Sequence, residues 1–158
     1  MPRTPVADPP AQFSDADPQI AHNRVWFNLL RIHRSMAPRI GRALRVEGIE
    51  DPIWYEILIE VERAAGDGLP MAELERRLFV AQYALSRHVS RLETAGWLRR
   101  EKMPGAGRAQ RLYLTEAGLG LHERIWPAYM AAIQSELAHR LSVDEAYDLS
   151  RLLIRLYP

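Results

Sequence analysis

The side chains best suited to chemistry lie in one stretch of the chain. Between Ala72 and Arg111 stand nine basic residues (Arg76, Arg77, Arg87, Arg91, Arg99, Arg100, Lys102, Arg108 and Arg111) against four acids (Glu73, Glu75, Glu93 and Glu101). That block is net +5 on a chain whose formal total is +1, so the remainder is net negative. A basic block on a near-neutral protein is the electrostatic footprint of a phosphate-binding surface. A solvated face with no partner has the same composition, so the placement of the residues matters. Gln82, Tyr83, Ser86, Arg87, Ser90 and Arg91 lie on or near the polar side of a segment whose other side carries Leu85, Val89 and Leu92, spaced four and three apart. A glutamine amide pairs with an adenine edge, a guanidinium forks onto guanine, and hydroxyls suit phosphates or base edges. Beyond them, Arg99, Arg100 and Lys102 precede a Pro104-Gly105-Ala106-Gly107 turn, and Arg108 and Arg111 follow it. An arginine on a turn of this kind suits the negative potential of a minor groove.

Other chemistry finds little support. The chain has no cysteine, which excludes disulfides and thiolate catalysis and fits a reducing, cytoplasmic setting. Its five histidines (His22, His33, His88, His122 and His139) have no close ligand spacing, so no metal and no cofactor is expected. Ser86 and His88 are two apart on a helix and diverge, so they suggest no nucleophile-base pair. Gly105-Ala106-Gly107 lacks the third glycine and the strand-to-helix context of a dinucleotide loop. No enzyme is expected. No apolar run approaches the roughly 20 residues that span a bilayer. Residues 1–18, with five prolines and three aspartates, read as a disordered or extended arm.

The elements that must hold the basic stretch follow from periodicity and punctuation. Trp26, Leu29, Leu30, His33, Ala37, Ile40 and Leu44 recur at helical spacing, giving a first helix over 19–46 with a bend expected at Pro38. Asp51-Pro52 caps a second, over about 52–65, that buries Ile53, Ile57, Leu58 and Val61. Leu69-Pro70-Met71 allows only a stub of strand. A third helix (72–78) and a fourth (82–95) flank the short turn Phe79-Val80-Ala81, and Gly96 ends the fourth. Two strands, 97–102 and 108–114, form a hairpin. Thr115 caps a fifth helix over 116–140, with Leu121, Ile125, Ala128, Tyr129, Ala132, Ile133 and Leu137 on its stripe and a bend expected at Pro127. Ser142 and Glu145 form a capping box for a sixth helix, with Leu149, Leu152, Leu153 and Leu156 inward.

Helix three, turn, helix four and basic hairpin, in that order, resemble the winged helix-turn-helix of the MarR family. The resemblance rests on Leu74-Glu75-Arg76-Arg77-Leu78, Ser86-Arg87-His88-Val89-Ser90-Arg91-Leu92-Glu93, Ala95-Gly96-Trp97-Leu98-Arg99-Arg100 and Leu114-Thr115-Glu116-Ala117-Gly118. It covers about residues 19–157. It implies a mainly α fold, six helices with a two- or three-stranded β-wing, in an intertwined homodimer. The first helix (19–46) and the C-terminal helices (116–158) would dimerise around a DNA-binding domain at 47–115. It implies a transcriptional regulator that binds double-stranded DNA at a pseudo-palindromic operator. Gln82, Tyr83, Ser86 and Arg87 would be recognition-helix contacts and Arg108 the wing arginine, with Ser90, Arg91 and Arg111 beside them. Relatives bind small phenolic or other anionic effectors in a cleft, and Trp26, His33, Arg34, Trp54 and Tyr55 are the corresponding candidates here. The sequence departs from the family at Ala106, where an aspartate usually stands, and at Ala81-Gln82, where Ser-Pro is common. The alternative is a winged-helix adaptor that contacts protein instead of DNA.

Overall fold

The computed structural model describes Phe13 and residues 15–105 and 109–158. The described chain divides into two compact units, residues 41–129, and residues 1–40 with 130–158. The helices are α1 (Gln19–Val46), α2 (Pro52–Arg63), α3 (Met71–Leu78), α4 (Gln82–Thr94), α5 (Glu116–Leu119), α6 (Leu121–Leu137) and α7 (Val143–Ile154). The strands are β1 (Leu69–Pro70), β2 (Leu98–Lys102) and β3 (Gln110–Leu114). The expected fifth helix is interrupted at Gly120, so α5 and α6 stand where one helix was read. Both long helices run through their prolines, Pro38 in α1 and Pro127 in α6.

The unit 41–129 contains the core. Asp51 accepts a hydrogen bond from the Ile53 amide and Pro52 opens α2, which turns Trp54, Tyr55, Ile57, Leu58 and Val61 inward. Leu74 of α3 and Leu85, Val89 and Leu92 of α4 meet them, with Leu121 and Ile125 of α6. Each such aliphatic side chain contributes about 2 kcal/mol of hydrophobic stabilisation when fully buried. The strand stub is a true strand. β1 pairs antiparallel with β3, and β3 with β2, in the order β1-β3-β2. The register sets Leu69 opposite Leu112 and Leu98 opposite Leu114, and Leu69, Leu98 and Leu112 are buried on the helix-facing side.

Two glycines make the junctions possible. Gly96 takes φ +77 just past α4, a left-handed conformation that ends the helix and starts the wing. Gly118 sits so close to the wing that a Cβ would lie 2.0 Å from the Trp97 carbonyl oxygen. Thr115 completes this clasp. Its hydroxyl donates to the Gly96 carbonyl and accepts from the Gly118 amide, and its own amide donates to the Trp97 carbonyl. The Leu-Thr-x-x-Gly signature is therefore a device for closing the wing onto the following helix.

The second unit has no buried core residue among those described. The capping box at Ser142 and Glu145 forms as read. Leu149, Leu152 and Leu156, expected inward, are instead exposed, as are Tyr147 and Ile154. On α1 the expected stripe is only partly covered. Leu44 is buried, Leu29, Leu30, Ala37 and Ile40 are half-buried, and Trp26 and His33 are exposed. Nothing within the described chain covers these faces, which is why helical periodicity alone misplaced them. Polar contacts within the unit are well made. Arg39 grips Glu136 through Nε at 2.6 Å and through a terminal nitrogen at 2.8 Å, and Arg140 adds a second cation. These two guanidiniums hold the Glu136 carboxyl down at about 2.

Candidate nucleic-acid interface

The fourth helix has two faces. Leu85, Val89 and Leu92 are buried, while Gln82, Tyr83, Arg87 and Arg91 are exposed and Ser86 and Ser90 half-buried. The front that sequence assigned to a partner is therefore open to one. Tyr83 is 74% exposed. α3 braces the helix from behind, and the turn between them is closed by Phe79 in a left-handed conformation at φ 53. Ala81 stands at the N-cap of α4 and offers no side-chain cap. A concavity of about 320 Å3 opens between this helix start, the start of α3 and the wing, lined among others by Met71, Glu75, Gln82, Ser86 and Met103.

The basic residues separate into two groups once their partners are known. Arg76 and Arg77 are claimed by Glu73, which they hold below the ordinary carboxylate range, and Arg77 also reaches Glu60 on α2. Arg99 pairs with Glu101 and lies over the Tyr113 ring, 4.5 Å from its centroid. Arg100 donates to Glu93 Oε2 through Nε at 2.9 Å and through a terminal nitrogen at 2.7 Å, and the latter nitrogen also reaches Ser90 Oγ at 2.8 Å. Arg111 donates to the carbonyls of Asp67 and Gly68. Arg100 thereby ties the wing to α4, and Arg111 ties it to the loop before β1. Arg87, Arg91 and Lys102 have no ion pair or side-chain hydrogen bond among the described residues. Ser90 donates to the Ser86 carbonyl and accepts from Arg100, so it belongs with the internal group. Arg108 and Ala106 lie outside the described residues.

The residues read as an effector cleft differ in exposure. Trp26, His33 and Arg34 are exposed on α1. Trp54 and Tyr55 are core residues, 6% and 2% exposed. Both satisfy their polar ends internally. Trp54 Nε1 donates to His88 Nδ1 at 3.2 Å, and the Tyr55 hydroxyl pairs with His122 Nδ1 at 3.0 Å. Burial pushes the Tyr55 phenol above its ordinary pKa. Sequence reading missed three contacts: the Trp54–His88 bond, the Glu93–Arg100–Ser90 clasp and the capture of Arg111. Only the second had a sequence signal, the glutamate and arginine seven apart across Gly96.

This arrangement, a braced polar helix followed by a three-stranded basic wing, defines a winged helix-turn-helix domain. Its family resemblance is borne out by a family model: residues 48–109 match the MarR family. No curated protein matches the chain by sequence. Solved structures of transcriptional regulators share the fold along most of the chain. The MarR family regulator Sco3205 from Streptomyces coelicolor, in complex with DNA, is 24% identical with a TM-score of 0.78, covering 92% of this chain and 89% of its own. A mutant MarR from E. coli, complexed with operator DNA, is 23% identical with a TM-score of 0.75, covering 90% and 100%. The organohalide-sensing regulator RdhR-CbdbA1625 in its 2,4-dichlorophenol-bound form is 19% identical with a TM-score of 0.76, covering 92% and 86%.

Proposed function

We propose that this protein is a sequence-specific DNA-binding transcriptional regulator that acts as a homodimer on a pseudo-palindromic operator. The observation that carries the reading is the exposed front of α4, where Gln82, Tyr83, Arg87 and Arg91 face outward and neither arginine is neutralised by a described residue. α4 enters the major groove, braced by α3, and the basic wing reaches toward the adjacent minor groove through its tip and Arg108. The uncovered apolar faces of α1 and α7 support the dimer, since a single chain leaves them in water. Similarity to structures solved on DNA supports the partner. In this reading the protein works in the cytoplasm, carries no catalytic group, and acts as a repressor relieved by a phenolic or carboxylate effector. The dichlorophenol-bound relative supports that effector class. Among the described residues no helix is long and apolar enough to cross a membrane.

Binding to duplex DNA as a function of salt tests the reading. Counterion release makes affinity fall by about 10³-fold or more between about 50 and about 200 mM salt when several phosphates are contacted. A protein-contacting adaptor responds weakly to salt, and such a result overturns the proposal. On a duplex selected from a random pool, Gln82→Ala is expected to cost roughly 1–3 kcal/mol and to relax preference at one base position, whereas Arg87→Ala is expected to weaken binding to all sequences alike.

A further inference from the structure

We infer that Arg87, His88 and Arg91 together form a binding site for one DNA backbone phosphate, in which Trp54 positions His88 as a donor. The inference rests on the DNA-binding reading above and specifies a contact within it. Nothing in the sequence marked His88 as a contact, because it lies between the buried stripe and the exposed front of α4.

The geometry begins in the core. Trp54 is 6% exposed, and its indole N–H, which can only donate, meets His88 Nδ1 at 3.2 Å. Nδ1 is therefore the acceptor, and the neutral ring carries its proton on Nε2. The Trp54 contact takes the Nδ1 edge and leaves the Nε2 edge for the other surface that His88 lines. That surface is a crevice of about 110 Å3 bounded by Ala84, Arg87, His88 and Arg91. These four residues share one helix face at three- and four-residue spacing. Ala84 keeps one wall small, and the other three supply only donors. No carboxylate lines the crevice. The facing acid is Asp51 on the α2 side, whose Oδ2 stands 4.0 Å from Nδ1, beyond hydrogen-bond range. Arg87 and Arg91 have no described partner, whereas Arg76, Arg77, Arg99 and Arg100 are each paired with a glutamate. Two unneutralised guanidiniums and a directed imidazole N–H match a tetrahedral oxyanion. A backbone phosphate fits better than a base edge, because a half-buried side chain is set back from the tip of the helix front. Contacts of this kind fix register on the duplex without reading sequence.

The test uses the full chain and a selected duplex in which single neutral methylphosphonates replace successive phosphates. His88→Asn is the central variant, since its side-chain oxygen still accepts from Trp54 but the side chain no longer reaches the crevice. His88→Gln restores that reach with an amide N–H. Wild type is expected to lose affinity by about tenfold or more at one phosphate in each half-site, since one charge-assisted hydrogen bond alone is worth that much. His88→Asn binds the unmodified duplex about tenfold more weakly and loses less at that substitution than wild type does, because only Arg87 and Arg91 still hold the phosphate, while His88→Gln keeps the wild-type loss. Trp54→Phe is expected to weaken binding in a way that is not additive with His88→Asn. An affinity and a methylphosphonate loss in His88→Asn equal to those of wild type overturn the inference, although the DNA-binding reading then stands. Absence of salt-dependent binding in wild type removes both. Inorganic phosphate added at constant ionic strength is expected to leave the complex unchanged. Displacement of DNA from wild type but not from His88→Asn reassigns the site to a free phosphate anion and overturns the backbone contact.

Discussion

At the scale of single residues, a cation's role is decided by what else claims it. Nine basic side chains between Ala72 and Arg111 look alike in the sequence. In the structure a carboxylate seven residues away turns Arg100 into a clasp, and two loop carbonyls do the same for Arg111. A paired guanidinium has little net charge left for a phosphate, because its field is already met at 2.7 Å. Arg100→Ala therefore belongs to stability. Its side chain is 19% exposed and that of Glu93 39%, so solvent screens the pair only in part. The expected loss is about 1 kcal/mol, read from the urea midpoint, with the salt slope of DNA binding unchanged. A reduced slope with unchanged stability would instead place Arg100 on the DNA.

At the scale of elements, the wing is held by close approach as much as by hydrogen bonds. β2 leaves α4 through Gly96, and β3 returns to α5 through Thr115 and Gly118. The strands pair so that Leu98, Leu112 and Leu69 share the buried face. That places alternate residues, Arg99 and Tyr113, on the other face, where they stack. The tightest point is Gly118, since backbone rather than a flexible side chain occupies the space a Cβ needs. Gly118→Ala is expected to destabilise the protein by about 2–3 kcal/mol, the upper part of the range for overpacking a close-packed site. Thermal or urea unfolding measures it. A change below about 0.5 kcal/mol, the range of ordinary surface substitutions, shows that the wing can shift away at little cost.

At the scale of the whole molecule, the two units are stabilised unequally. Residues 41–129 hold every core side chain among the described residues, from Leu44 to Ile125. The other unit presents Trp26, Phe27, Tyr147, Leu152 and Ile154 to solvent. Apolar surface of that extent is costly in water, and a second copy of the same faces is the economical cover under two-fold symmetry. Leu152→Glu is expected to convert a species near twice 18.1 kDa into one near that mass in sedimentation, with weaker operator binding. A wild-type monomer at micromolar concentration would show that the faces have another occupant.

The sequence by itself determined the order of elements. Asp51-Pro52, Gly96, Thr115 and the Ser142–Glu145 box are local signals, and local backbone chemistry acts within a few residues of each. It also determined which face of α4 is apolar, since Leu85, Val89 and Leu92 need only helical spacing to align. The outward leucines of α7 and the partners of Arg100 and Arg111 depended on contacts that spacing cannot express. Tertiary packing decided them, because burial and ion pairing depend on what lies across space from a residue. The same holds for His88, whose meaning came from an indole thirty-four positions earlier in the chain.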